Sequence, residues 1–222
     1  TIHVDVRDNT RNLKPAAIGR DRKMNDPLTQ EELTSVRGVV GGLAWVSRYG
    51  RPGLAYRVNE PNDVAIPTVQ SLNDANRVVT RFAGKRLQNH FLKTDWIAWK
   101  NLAVVTFSDA SFANKAEFKS QQGCIHYITS RNVKLGEHKF HLIGFGSSTL
   151  KEFAELHVQA EAYALQGSIE SGDKLRVLLC ELTGRLKSVK EWYEQSQRAM
   201  VFTDCRSLSD HLSCKVARKV QD

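Results

Sequence analysis

The chain has 222 residues, of which 41% are hydrophobic and 25% charged, and a formal net charge of +8. That length sets one or two domains. The ordinary globular composition excludes collagen-like, coiled-coil and disulfide-scaffold chains, and argues against disorder. No apolar run approaches the roughly 18–20 residues of a membrane helix. The four cysteines (Cys124, Cys180, Cys205, Cys214) form no C-x-x-C pair. They read as reduced, intracellular thiols, not as a zinc site or a disulfide framework. No secretory or transit segment heads the chain. It opens on Thr1, not Met, as expected of a piece of something longer.

The charge is uneven. Residues 1–100 carry 16 Lys/Arg against 10 Asp/Glu, and residues 101–222 carry 16 against 14. A basic surface suits a polyanion such as nucleic acid, because neutralising phosphates releases counterions. A merely soluble basic protein fits the same numbers.

In chain order, Ile2, Val4 and Val6 alternate with polar residues as in a short half-buried strand. Pro15, Gly19, Asn25 and Pro27 then signal a loop. Thr29 and Glu32 have the spacing of a capping box, and Leu33, Val36, Val40, Leu43 and Ser47 mark one stripe of an amphipathic helix. Gly38, Gly41 and Gly42 cost about 1 kcal/mol each inside a helix. They imply close approach of another group, or a break. Gly50 and Pro52 end the segment. A short helix within 53–66 leads to a loop at Pro61, Asn62 and Asp63, and Pro67 is placed to open the next helix. Val69, Leu72, Ala75, Val79 and Phe82 form its inner face, and Arg77, Arg81, Lys85 and Arg86 lie near its exposed end. Residues 1–100 therefore read as a small helical module with a basic edge. Trp96 and Trp99 fall in the joint as packing residues.

The character changes at Leu102. Leu102 to Phe107 is a continuous apolar run with β-branched residues, as expected of a strand covered on both faces. Gly123 to Thr129 and Phe140 to Phe145 are further strands, and short polar connections predict an antiparallel meander. A long helix follows, with Val158, Ala162, Leu165 and Ile169 on one face. Leu175, Leu178, Leu179 and Leu182 continue it, Gly172 is a candidate kink and Gly184 a candidate C-cap. Ser188 and Glu191 predict another short helix to Gln197. Ala199 to Thr203 is a fourth strand, and Ser207 with Asp210 is placed to cap a last helix through His211.

Three acids stand out by position. Asp109 closes the first strand of the meander, Glu161 lies on the long helix beside its apolar stripe, and Asp204 closes the fourth strand. If that strand lies beside the first, Asp109 and Asp204 emerge together, and a helix across the sheet can point Glu161 at the same spot. Such acids repel unless cations neutralise them, and hard oxygen ligands select Mg²⁺ or Mn²⁺. Two such ions roughly 4 Å apart suit phosphodiester hydrolysis. Acids at strand ends also cap helices or face solvent, and Asp204 could be only a cap. His126 and His141 read as strand packing residues, and Cys205 as a small buried filler.

The run Val105-Thr106-Phe107-Ser108-Asp109-Ala110-Ser111-Phe112-Ala113, then Ser120-Gln121-Gln122-Gly123-Cys124-Ile125-His126-Tyr127, resembles the start of the ribonuclease H domain of copia-type LTR retrotransposon Pol polyproteins. Ala160-Glu161-Ala162-Tyr163-Ala164-Leu165 and Thr203-Asp204-Cys205-Arg206-Ser207-Leu208 resemble later parts of it. Upstream, Val36-Arg37-Gly38-Val39-Val40-Gly41-Gly42-Leu43-Ala44-Trp45 and Arg51-Pro52-Gly53-Leu54-Ala55-Tyr56 are similar to the segment after the polymerase palm, and the helix around Ala75 to Gly84 fits the next part. The resemblance covers nearly the whole chain, with five motifs in order.

It implies an α+β protein: a thumb-and-connection-like helical module over 1–100, then an incomplete ribonuclease-H-like domain over 101–222 with a mixed sheet. It implies a hydrolase within an RNA-directed DNA polymerase polyprotein, cutting the RNA strand of RNA–DNA hybrids during reverse transcription. Asp109, Glu161 and Asp204 would be both catalytic and metal-binding acids for two Mg²⁺ or Mn²⁺ ions. Arg77, Arg81, Lys85 and Arg86 are candidates to grip nucleic acid. The partners implied are the hybrid and the rest of the polyprotein, with no membrane, in cytoplasm or nucleus. An inactive nucleic-acid-binding remnant, or a host interaction module using the fold, are the competing expectations.

Departures from the family pattern are specific. Its paired aspartates (Tyr-Val-Asp-Asp-like) are absent, so polymerisation is not expected of this chain. Arg51-Pro52-Gly53 stands for Arg-Pro-Asp. Leu156 and His157 replace a Ser pair before Ala-Glu, which weakens the cap or lets the helix start earlier, at Thr149 with Glu152. The last strand, last helix and fourth carboxylate of the pattern lie beyond Asp222. Asp210 and Asp222 are too close to Asp204 to substitute for that carboxylate.

Overall fold

The computed structural model describes residues 2–5, 11–59, 66–82, 88–91, 98, 101–132, 139–182, 184, 188 and 198–213. The chain forms two compact units, residues 1–96 with 146–148, and residues 97–145 with 149–222. The architecture is mixed α+β, with five α-helices and a four-stranded mixed sheet among the described residues. Residues 189–197 of the expected helix at 188–197, Trp96, Trp99, and the loop at Pro61, Asn62 and Asp63 lie outside those residues.

In the first unit, helix α1 spans Gln30–Gly50. Its N-terminus is fixed by the capping box: Glu32 N–H donates to Thr29 Oγ1 at 3.2 Å, and Thr29 N–H to Glu32 Oε2 at 2.8 Å. A 3₁₀ turn, Pro52–Leu54, leads into α2, Ala55–Asn59, and α3 follows at Val69–Phe82. Val36, Val40, Leu43 and Val46 of α1 meet Leu72, Ala75 and Val79 of α3 in one core, joined by Leu54 and Val58. Pro67 does not open α3. It precedes the helix by two residues, and its carbonyl accepts from Leu28 N–H at 3.0 Å. The first free N–H groups of α3, on Val69 and Gln70, donate to the carbonyls of Asp26 and Met24, which does the work of a cap.

The glycines of α1 do not break it. A Cβ at Gly38 or Gly41 would meet nothing within 4 Å, whereas one at Gly42 would run into Leu13. The first unit is not purely helical: the short strand expected around Ile2 and Val4 forms, and it pairs with a second strand that the sequence does not announce. Strand β1, Ile2–Asp5, pairs antiparallel with β2, Gln88–Phe91, with Ile2 opposite Phe91.

The second unit is built on β3, Leu102–Ser111. Strand β4, Gln121–Ser130, pairs with it antiparallel, and β6, Arg198–Thr203, pairs with it parallel. Strand β5, His141–Thr149, lies outside β4, so the order is β5-β4-β3-β6. Strands β3, β4 and β5 run past their sequence-predicted C-terminal ends, whereas β6 ends at Thr203 as expected. In particular, β3 continues through Asp109, whose backbone faces Gly123 across the pair. Helix α4, His157–Leu182, lies across the sheet, and α5 is Arg206–Ser213. The earlier start at Thr149 does not occur, because Thr149 ends β5.

Helix α4 presents small residues to β3. Ala160, Ala164, Ser168 and Gly172 recur every four residues and are buried. Ser168 Oγ donates to Ser108 Oγ at 3.0 Å, and a Cβ on Gly172 would sit 2.9 Å from Thr106 Oγ1. Gly172 is therefore a close-approach position in a continuous helix, not a kink. The large residues Ile169, Leu178 and Leu182 are exposed, contrary to the stripe read from the sequence. Under the same seam, buried His126 shares hydrogen bonds with Thr106 Oγ1 at 2.9 Å and Ser171 Oγ at 3.1 Å. Both ring nitrogens are thus satisfied, and burial holds the imidazole below its ordinary pKa. On the opposite sheet face Phe107 stacks on Phe202 at 5.2 Å between ring centroids.

Candidate metal centre

The parallel pairing of β3 and β6 sets the site. Ser108 is opposite Thr203, so one step further along both strands come Asp109 and Asp204. A parallel pair brings the ends of both strands to the same edge, and two side chains far apart in sequence emerge side by side. Asp204 is followed at once by a turn, with Cys205 N–H donating to Thr203 Oγ1 at 3.1 Å. Helix α5 then opens at Arg206, its first bond running from Ser209 N–H to the Cys205 carbonyl. Ser207 lies inside that helix and not at its cap. Its carbonyl takes a hydrogen bond from His211 Nδ1 at 2.7 Å.

The third acid comes from α4. Its small-residue seam lets the helix axis approach β3 closely, and Ala160 and Ala164 join Ala110, Leu150 and Ala154 in one apolar cluster. Glu161, next to that seam and just past the first turn, is driven inward with it. Only 2% of the residue is exposed. The local entry to α4 has no Ser or Thr cap. Instead Gln159 Oε1 accepts from Glu155 N–H at 2.9 Å, and the Leu156 carbonyl accepts from Gln159 and Ala160.

Carboxylate oxygens of Asp109, Glu161 and Asp204 all lie within 4.8 Å of one another. The two aspartates are exposed and the glutamate is buried. The Glu161 carboxyl is pushed above its ordinary pKa, first by burial and then by the charge of Asp109, with a smaller push from Asp204. The Ala110 backbone N–H and His157 work against that shift. Glu161 Oε2 is buried without a hydrogen-bond partner. A buried carboxylate oxygen left unpaired is costly unless something else compensates it. A divalent cation is the compensation that this donor set fits, since all the ligands are hard oxygens. The cluster could hold a metal ion.

The other sequence candidates fall elsewhere. Arg77 and Arg81 sit on α3 in the first unit, both exposed, and Arg77 Nη1 pairs with Asp74 Oδ1 at 3.3 Å. Lys85 and Arg86 lie outside the described residues. Asp210 is exposed on α5, 3.8 Å from Arg206. Cys205 is buried with Leu165 and Leu208.

One residue at the site escapes the sequence reading. His157, first in α4, places Nε2 3.8 Å from Glu161 Oε1, and its ring meets that of Phe112 edge-on at 6.4 Å. Its spacing of four from Glu161 was the available signal.

The chain matches no family model, no curated protein and no solved structure.

Proposed function

We propose that this chain is part of a metal-dependent ribonuclease H, from the Pol polyprotein of a copia-type LTR retrotransposon, a domain that cuts the RNA strand of RNA–DNA hybrids. The observation that carries the reading is the meeting of Asp109, Glu161 and Asp204, with one buried glutamate oxygen unpaired. The five ordered sequence motifs support it, as does a net charge of +8, which suits a polyanionic substrate.

In this reading the three carboxylates would hold two Mg²⁺ or Mn²⁺ ions. The ions, when bound, supply water activation at neutral pH and offset charge on the scissile phosphate and its leaving oxygen. The protein's own part is positional. Glu161 is buried and held by the helix–sheet seam, so its carboxylate is a fixed ligand. Asp109 and Asp204 are exposed, so a substrate arriving from solvent would meet them first. In the net reaction one water adds to phosphorus and the bond to the 3′ oxygen breaks. A 5′-phosphate and a 3′-hydroxyl remain. Selectivity for the hybrid comes from the shape of the duplex and from 2′-hydroxyls on the RNA strand.

The test is cleavage, by a version of the chain extended past Asp222, of a hybrid carrying labelled RNA, with and without Mg²⁺. Cleavage should require the ion and leave the DNA strand intact. Asp109→Asn should lower it roughly 10²-fold or more, the scale on which losing one group that balances transition-state charge is felt. Equal cleavage by the variant, or hybrid binding with no cleavage in Mg²⁺ or Mn²⁺, rejects the assignment.

A further inference from the structure

The first residue of α4 brings to the acid cluster a ligand type that the acids themselves lack. His157 and Glu161 are four residues apart on one helix, so their side chains share a face. His157 Nε2 lies 3.8 Å from Glu161 Oε1, too far for a direct hydrogen bond. That gap suits another arrangement. Two ligands each about 2.1 Å from a common ion lie about 3.0–4.2 Å apart, from adjacent to opposite positions. The imidazole and the carboxylate are already separated as they would be with an ion between them. The His157 side chain is 59% exposed among the described residues, so a cation can approach the ring from solvent. Glu161 Oε2 remains unpaired in the interior.

We propose that His157 is a fourth ligand of this centre, giving nitrogen to one of its ions and biasing the site toward Mn²⁺ and Co²⁺ over Mg²⁺. The inference rests on the divalent-metal reading above and deepens it. Oxygen donors alone suit Mg²⁺, which demands near-octahedral oxygen geometry and keeps its waters. Imidazole nitrogen is a softer donor, and affinity for it rises along the first-row divalent ions. One histidine among three carboxylates therefore sets which ion the centre takes, while the acids set whether it takes one at all.

The experiment measures Mg²⁺, Mn²⁺ and Co²⁺ binding by calorimetry, and nitrogen-14 modulation in electron spin echoes from the Mn²⁺-loaded protein. The variants are His157→Ala, at an exposed position, and Asp109→Asn, each checked by circular dichroism to be folded as the wild type is. The wild-type chain should show the nitrogen signal and His157→Ala should not. His157→Ala should weaken Mn²⁺ and Co²⁺ binding roughly tenfold or more, and leave Mg²⁺ within about twofold. A nitrogen signal that survives His157→Ala, or an equal loss for all three ions, overturns the assignment of His157. Asp109→Asn separates the two readings. If it abolishes Mn²⁺ binding while His157→Ala leaves the preference for Mn²⁺ over Mg²⁺ unchanged, only the histidine assignment falls. If Mn²⁺ binding is undiminished in Asp109→Asn, the acid centre itself falls.

Discussion

Glu161 is ionised at a cost. Burial and the charges of Asp109 and Asp204 favour its neutral form, and hold its pKa above the ordinary 4.5. The folded chain therefore holds that proton more tightly than the unfolded chain. The contribution to stability is complete below pH 4.5 and is lost as pH rises through the higher folded value. At neutral pH without divalent ions, the residue weakens the fold it sits in. This is the stability–function conflict expected of a site built to receive a cation. Glu161→Gln keeps the shape and removes the charge. In chelator at pH 7 the variant should melt roughly 2–4 °C above wild type, and the gap should close below pH 4.5. Mg²⁺ should then raise the melting temperature of wild type and leave the variant unmoved. A variant that melts lower than wild type at every pH would show that the carboxylate stabilises the metal-free fold. At this scale the three acids were legible, because each falls at the end of a strand or beside a helical stripe. His157 was not, because its position reads first as a missing serine cap.

Helix α4 shows what periodicity alone misses. Its large apolar residues suggest a buried face through Ile169 and Leu178, yet both are exposed. The face that packs is made of Ala160, Ala164, Ser168 and Gly172. Residue size and burial part company here because the helix must approach β3 closely for Glu161 to reach the aspartates. A hydrophobic stripe reports affinity for a core, not how near two backbones come. Gly172 is the tightest point, with Thr106 Oγ1 2.9 Å from where a Cβ would be. Thr106 is buried and hydrogen-bonded to His126, so it has no room to yield. Gly172→Ala should cost about 1–3 kcal/mol in urea unfolding, despite the better helix propensity of alanine. Gly41→Ala, on α1 with open space around it, should gain about 0.5–1 kcal/mol. Stabilisation by Gly172→Ala as well as by Gly41→Ala would contradict the close-packed seam. The capping box at Thr29, by contrast, was legible in full, because its two partners are three residues apart and need no tertiary context.

On the scale of the whole molecule, sequence patterning is most informative where elements are long and strongly apolar. β3 and the helices α1 and α3 announce themselves. The pair β1 and β2 is half announced, since Ile2 and Val4 alternate, whereas Gln88-Asn89-His90-Phe91 has neither alternation nor β-branched residues. Its pairing comes from the partner strand. The decisive long-range feature is the parallel register of β3 with β6, which joins residues some 95 positions apart. Sequence states this only conditionally, because strand order follows from the chain's return across the sheet and not from local pattern. Once β6 lies beside β3, the site follows: the last paired residues of β3, the end of β6 and a closely seated helix bring three acids within 4.8 Å. Crystals of the chain soaked in Mn²⁺ and measured for anomalous scattering test that outcome most directly. Density is expected among the Asp109, Glu161 and Asp204 carboxylates, with oxygens about 2.2 Å from the ion. Ordered carboxylates with no anomalous peak between them, or a peak only elsewhere, would contradict it.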